Sequence, residues 1–363
     1  MTLRVGFVGC GGMGKQHLRY LDQLAGYETV ALCDVSPDAL SACGEEFGVA
    51  AHFTDCGQMC DEVNPDLVVV STQTRHHHGP TLSALERGIH VLCEKPIAID
   101  PAEADEMVAA AANHGAILAI NQQNHVNPAI EQARKMIEAG DIGEVVLVRG
   151  RNKHGRKSGN EFTEMGTHVT DVMLVLGGTP RWVSGTVTSD GREVTPADIM
   201  EAKQMSARDR DSGLVAGERA IAHYGFEGGH LGEIHFLGYS TNMSENYGVD
   251  VLGSEGQLSV RIGGELAGGL WHLPRPMEGK PADLGDWQVV DLGEATQSKT
   301  INVMYERLAA AIAGEARVPA SGEQARMAME MVLGIYASHR EGGKRTALPL
   351  KDRRHPLEVW RDG

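Results

Sequence analysis

GFVGCGGMG, residues 6–14, is the stretch on which the reading of this chain turns. The residues leading into it, LRVGFV at 3–8, are apolar without polar alternation, as in a strand covered on both faces. The residues leading out, GKQHLRYLDQL at 14–24, carry the spacing of an amphipathic helix. Gly9, Gly11 and Gly14 therefore stand in G-x-G-x-x-G spacing at a strand-to-helix turn. Glycines there permit a tight turn and let the backbone approach a pyrophosphate seated at the helix N-terminus. The expected cradle is Gly9, Gly11, Gly12, Met13 and Gly14. The second strand candidate, TVALCD, ends in Asp34, twenty residues past Gly14, where a carboxylate can accept hydrogen bonds from ribose hydroxyls. That carboxylate repels an additional phosphate and no arginine follows it in DVSPD, so NAD is expected rather than NADP.

Outward from this turn, LVVVST (67–72), HVLCE (90–94) and ILAIN (117–121) complete five strand candidates, separated by helix candidates such as PDALSACGEEFG and GPTLSALERG. The pattern predicts a doubly wound parallel sheet of the Rossmann type over residues 1–122. Past Asn121 the texture changes. A helix candidate, NPAIEQARKMIEAG, and the strand EVVLVRGR precede the alternating runs WVSGTVTS, AIAHYGF, GEIHFLGY, YGVDVLGS and GQLSVRIG. These predict an α+β domain over 123–345 with a large, mostly antiparallel open sheet, followed by a tail over 346–363. Residues 190–218 show no clear period and read as an insertion or lid.

At 363 residues the chain exceeds the ~250–300 at which one core stops growing, consistent with two domains. Its 42% hydrophobic and 23% charged content is ordinary for a globular protein. No run approaches the ~20 apolar residues of a membrane span, and MTLRVGFVG offers no signal-peptide pattern, so a cytoplasmic protein is expected. Six cysteines, all between Cys10 and Cys93, fit reduced thiols better than a disulfide framework. Cys56 and Cys60 with His76, His77 and His78 match no structural zinc spacing, and no metal is expected. A net charge of -16 argues against nucleic acid or an anionic membrane as partner.

Two further stretches carry chemistry. HVLCEKPIA (90–98) puts Glu94 and Lys95 at the C-terminal end of a strand, the edge that faces the ligand crevice in an open parallel sheet. Thr72 and Asn121, at the same ends of neighbouring strands, are placed with them as cofactor contacts. RGRNKHGRKS (149–158) gathers five arginines and lysines in ten residues, just before Glu164 and His168, which on a continuous helix share a face. A histidine suits proton removal from an alcohol near neutral pH. Arg151, Lys153, Arg156 and Lys157 either form a solvated strand face and loop or hold an anionic substituent of a substrate.

Together with the glycine loop, TQTRHHHGPTLSALERGIHVLCEKP (72–96), QQNHVNPAIEQARKMIEAGDIGEV (122–145), EMGTHVTD (164–171) and YGVDVLGSEGQL (247–258) resemble the glucose-fructose oxidoreductase and inositol dehydrogenase family, Gfo/Idh/MocA. The resemblance implies that Lys95 lies at the nicotinamide and touches the reacting hydroxyl, that Glu94 and His77 help hold the cofactor, and that Glu164 stands where the family usually has aspartate. It departs at Gln73, where proline is common, and at Asn124 and His125, where an arginine pair is common. His125 and Asp171 are placed as substrate contacts. The expectation is an NAD-dependent dehydrogenase for a sugar, glycoside or polyol, assembled as a homodimer or homotetramer through the exposed sheet face. Two alternatives stand beside it. One is a glycoside hydrolase that recycles NAD through oxidation, elimination, water addition and reduction, for example on a sulfoquinovoside or uronic acid glycoside. The other is an NAD-binding sensor without catalysis.

Overall fold

A computed structural model of the chain describes residues 2–152, 160–202, 213–237, 247–263, 268–274, 287–293 and 299–363. The chain divides into two compact units, 1–123 with 299–326, and 124–298 with 327–363.

In the first unit, β1 (Leu3–Val8), β2 (Tyr27–Cys33), β3 (His52–Phe53), β4 (Leu67–Val70), β5 (His90–Cys93) and β6 (Leu118–Ile120) form a parallel sheet in the order β3-β2-β1-β4-β5-β6. The five expected strands are present. The sixth, β3, has two residues, too few for any sequence period to register. Five helices cross over between strands: α1 (Gly12–Leu21), α2 (Pro37–Phe47), α3 (Cys56–Val63), α4 (His78–Leu85) and α5 (Pro101–His114). Their ends are written in the sequence. In α2, Ser36 accepts from the Ala39 N–H, Pro37 opens the first turn, and Gly48 closes the helix at φ 70°. In α5, Asp100, Pro101 and Gly115 repeat the device. Strand order reverses between β1 and β4, which places a crevice at their C-terminal ends. All six cysteines are buried and free, and burial pushes the Cys33 thiol up to about 12.

The second unit opens with α6 (Pro128–Ala139), again capped by an asparagine, Asn127, and closed by Gly140 in the left-handed region. Then come β7 (Val145–Arg151), α7 (Asn160–Glu164), α8 (Gly166–Gly177) and β8 (Pro180–Ser189). The strands β9 (Arg192–Glu193), β10 (Met200–Glu201), β11 (Leu214–Val215), β12 (Arg219–Phe226), β13 (Leu231–Phe236), β14 (Gly248–Gly253), β15 (Gln257–Arg261), β16 (Leu270–Leu273) and β17 (Gln288–Val289) follow. Gly150 of β7 packs so closely on Val169 and Met173 of α8 that no Cβ fits there without displacing them. That close approach covers one face of the sheet with α8 and, by alternation, turns Arg149 and Arg151 to the other.

Beyond β17, α9 (Thr300–Ile312) and the start of α10 (Gly322–Arg340) return to the first unit, a discontinuity that a single boundary at 122 does not contain. The rest of α10 is in the second unit, followed by β18 (Thr346–Ala347) and α11 (Pro356–Asp362). Among the described residues the second sheet has ten strands. Its order is β17-β16-β15-β14-β7-β13-β12-β8-β18 with β9 on β8, antiparallel throughout except where β13 meets β7.

Two expectations are corrected. The segment from 346 onward is not a tail: β18 pairs with β8, Leu357 is fully buried, and the buried Glu330 carboxylate is satisfied by Arg353 and by the Leu350 N–H. A charge buried on α10 needs those partners, which ties the end of the chain to the unit. Within 190–218, an expected insertion, β9 extends the sheet and β10 pairs with β11, while 203–212 lies outside the described residues.

Candidate functional site

At the glycine turn each residue has a separable reason. Gly9 has φ +99°, a backbone that strains any side chain. A Cβ on Gly14 would run into the carbonyl oxygen of Gly9, so glycine there lets α1 start hard against the end of β1. Gly11 and Gly12 have open space where a side chain would stand, and no side chain caps α1, which leaves its first-turn N–H groups as donors for an anion. Met13 is 43% exposed beside them. Asp34 stands next to the turn: its carboxylate accepts from the Cys10 N–H at 2.7 Å and the Ser36 N–H at 2.9 Å. A carboxylate has about four acceptor directions, so two hydrogen bonds leave capacity for ribose hydroxyls.

The end of β5 is held by a buried polar cluster. One oxygen of Glu94 meets the His17 Nε2 at 2.7 Å and accepts from Asn121 Nδ2 at 2.6 Å, while the other accepts from the Lys95 N–H at 3.2 Å. His17 Nδ1 lies 2.7 Å from the Tyr305 hydroxyl, and Tyr27 donates to the Tyr305 carbonyl at 2.6 Å. Burial pushes the Glu94 carboxyl up, but the hydrogen bond and charge of His17, with the Asn121 hydrogen bond and the Lys95 charge, outweigh it and hold the pKa down to about 2. Lys95 itself is half-buried at the mouth of this turn. Among the described residues the buried Asn121 side-chain oxygen has no hydrogen-bond partner, an acceptor left over for an amide donor.

In the second unit, His125 Nε2 lies 2.7 Å from Asp171 Oδ1, and Asp171 is fully buried, its Oδ2 without a partner among the described residues. Burial alone would lower the His125 pKa, but the Asp171 charge and hydrogen bond raise it; burial raises Asp171 against the pull of His125. His168 lies one turn from Asp171 on α8.

Several sequence-predicted residues stand elsewhere than expected. The buried His77 ring lies between the carbonyls of Pro96, 2.8 Å from Nδ1, and Thr72, 3.1 Å from Nε2. It braces the loop after β4 against the turn after β5. The Thr72 hydroxyl likewise donates to the His76 carbonyl at 2.9 Å. Glu94 points inward to His17 and Asn121, so it shapes the crevice edge instead of lining it. Glu164 and His168 are not on one unbroken helix, because α7 ends at Glu164 and α8 starts at Gly166 around Met165. Arg151 pairs with Asp250, and Arg149 with Glu233, on the sheet face away from α8. Burial, then Arg261 and Arg149, push the Arg151 pKa down to about 10. Lys153, Arg156 and Lys157 lie outside the described residues. His17 and Tyr305 were not singled out from sequence. The available signal for His17 was a histidine on the apolar side of α1, with Gly14, Leu18 and Leu21.

Among the described residues no group of three or more histidine, cysteine, aspartate or glutamate side chains could hold a metal ion, and no helix is long and apolar enough to cross a membrane.

Residues 3–122 match the description "Oxidoreductase family, NAD-binding Rossmann fold", and residues 130–259 match "GFO/IDH/MocA C-terminal domain". The chain belongs to the Gfo/Idh/MocA family. A D-glucoside 3-dehydrogenase of Escherichia coli is 33% identical over 191 residues, 48% of this chain and 54% of that protein. An inositol 2-dehydrogenase of Salmonella typhimurium is 27% identical, again over 48% of this chain and 54% of that one. The chain thus spans about half the length of these curated relatives. A 1,5-anhydro-D-fructose reductase of Ensifer adhaerens, 28% identical, aligns over 71% of this chain and 75% of its own. Of solved structures, the WlbA dehydrogenase of Bordetella pertussis in complex with NADH and UDP-GlcNAcA superposes with a TM-score of 0.75 at 22% identity, covering 96% of this chain and 99% of that one. Levoglucosan dehydrogenase in complex with NADH and levoglucosan gives 0.75 at 19% identity, over 96% and 100%. At these identities the superpositions establish the fold.

Proposed function

We propose that the protein is an NAD-dependent oxidoreductase that removes hydride from a secondary hydroxyl of a sugar, glycoside or polyol. The observation that carries this reading is the conjunction, within one unit, of an uncapped α1 over open glycines, Asp34 beside it, and the anchored Glu94–Lys95 turn with the spare oxygen of Asn121. Those groups fit NAD. The pyrophosphate would lie on the N–H groups of Gly11, Gly12 and Met13, the ribose on Asp34, and the carboxamide on Asn121. NAD supplies the hydride acceptor when bound. Lys95 donates a hydrogen bond to the substrate oxygen as it gains negative charge, and His168 takes the hydroxyl proton. Glu164 orients the imidazole, and His125 with Asp171 contacts the substrate.

The names of the relatives, among them a D-glucoside 3-dehydrogenase and inositol 2-dehydrogenases, support a carbohydrate or cyclitol substrate. With Arg151 committed to Asp250, recognition of an anionic substituent would rest on Lys153, Arg156 and Lys157. We assign the exposed sheet face, with Ile221 49% and Leu231 52% exposed, to a homodimer or homotetramer in the cytoplasm; a monomeric mass by light scattering at micromolar concentration would refute the assembly.

The test is a screen of the purified protein against neutral and acidic sugars and their aryl glycosides, following NADH absorbance and released phenol together. NADH formed in step with substrate consumed, without phenol, is the expected result. NAD-dependent phenol release with no net NADH would replace the proposal by the hydrolytic chemistry. Binding of NAD and sugar with neither signal would leave a sensor.

A further inference from the structure

The cluster behind Lys95 is more elaborate than packing requires. A carboxylate with 6% of its surface exposed carries a large desolvation cost, and here three groups meet it directly, His17 of α1, Asn121 just past β6 and the Lys95 N–H in the turn after β5, while Tyr305 of α9 holds the far nitrogen of His17. Tyr27 of β2 closes the set from behind by holding the Tyr305 carbonyl. Glutamine at position 94 could accept from His17 and Asn121 through its oxygen, but its NH2 would then face the Lys95 N–H, donor to donor. The carboxylate instead turns its second oxygen to the backbone of the lysine at the crevice edge.

We propose that His17 and Tyr305 are positioning residues of this site: they hold the Glu94 carboxylate that accepts from the Lys95 N–H, and so fix the backbone from which the Lys95 side chain leaves. The Tyr305 hydroxyl sets the orientation of the imidazole, whose Nε2 then faces Glu94. Among the described residues the charges and titratable groups facing Glu94 are His17, Lys95, the adjacent Cys93 thiol and, through His17, Tyr305; Asn121 contributes a neutral donor. The link is reciprocal, since Lys95 is among the charges that hold Glu94 ionised. What Lys95 does chemically rests on the function proposed above; the arrangement that holds it does not.

The experiment compares wild type with His17→Leu, His17→Gln and Tyr305→Phe by the rate of Lys95 labelling at a fixed pH with an amine-reactive acylating reagent, read by peptide mass spectrometry, with NADH fluorescence titration alongside. With His17→Leu, Glu94 loses the ring nitrogen 2.7 Å from its Oε1 and is no longer held in place to accept from the Lys95 N–H. The turn that carries Lys95 loosens, and its labelling at a fixed pH should be several-fold faster. His17→Gln, which restores a donor, should return the rate toward wild type, and Tyr305→Phe should give a smaller rise. If folded His17→Leu loses thermal stability while its Lys95 labelling rate matches wild type, the two residues serve packing only and the proposal is overturned. Should His17→Leu fail to fold, Tyr305→Phe, which removes one oxygen atom, decides by the same criterion. Failure of wild type to bind NADH would sink the proposed function and leave the labelling result to judge this inference separately.

Discussion

Two strand ends in this molecule carry conspicuous charge, and they resolve in opposite ways. At the end of β5, Glu94 and Lys95 stand where the sheet order opens a crevice, and Glu94 is held by His17 and Asn121, with Tyr305 behind His17. At the end of β7, Arg149 and Arg151 are answered by strand neighbours: Glu233 sits directly opposite Arg149 on β13, and Asp250 on β14 takes both Arg151 and Arg261. Both stretches look like sites when only the chain is read. Charge at a strand end signals a site when the backbone geometry around it is already committed to a ligand. On a strand inside an open sheet the same charge is commonly balanced by its cross-strand neighbours, at ~0.2–1 kcal/mol per pair.

The sharpest way to break this contrast is Lys95→Ala. It should lower turnover on the order of 10²–10⁴-fold in a steady-state NADH assay while NADH affinity changes little. Retained turnover would remove the β5 edge from the chemistry. Next in size, Gly14→Ala forces a Cβ onto the Gly9 carbonyl and should cost about 1–3 kcal/mol, seen as lower thermal stability and weaker NADH fluorescence titration. Arg151→Ala tests the other side of the comparison. It should cost about 1 kcal/mol in chemical denaturation, because Arg261 still serves Asp250, and leave kcat/KM near wild type. A loss of a hundredfold in kcat/KM would restore the basic strand to the site.

The smallest expected effect is a pH slope. His125 has a raised pKa when folded, so its contribution to stability is complete below the ordinary histidine value of ~6.5 and fades as pH climbs through the raised value. The raised pKa of Asp171 gives a slope of the same sign at lower pH. Thermal midpoints should therefore decline above neutrality, and Asp171→Asn should flatten that decline; an unchanged slope in Asp171→Asn would show that the pair is not its source. Glu94 has the opposite sign, its stabilisation being present above the ordinary carboxylate range and lost as pH falls toward about 2.

What could be read from the chain follows the same division. Gly9, Gly14 and Asp34 were legible because a tight turn, a close approach and a strand-end acid prescribe residue types at fixed short spacings. The position of Glu94 and Lys95 at a strand end was legible from the apolar run before EKP. His17 and Tyr305, 288 residues apart, have no such spacing, and their meeting is decided by where α9 returns to the first unit. Between the two readings of Arg151 the chain could not choose, because the register that pairs β7 with β14 is set by the whole sheet. The bracing by His77 was hidden because a histidine near a crevice and a histidine bracing two carbonyls have the same sequence context. The kink at Met165 was hidden because a spacing of four carries no information about helix continuity.

The return of residues 299–326 to the first unit has a consequence in time as well as in space. During synthesis the six strands of the parallel sheet are complete by residue 120, but Tyr305 is still to be made. At ~5–20 residues per second the ribosome needs roughly ten to forty seconds more to deliver it, long compared with the folding time of a small domain. Throughout that interval the partners of Glu94 encoded before residue 122, His17 and Asn121, exist without the hydroxyl that orients the imidazole. The nucleotide-binding half is thus begun first and finished nearly last, and its final adjustment is made by a helix encoded after almost the whole of the other unit's sheet.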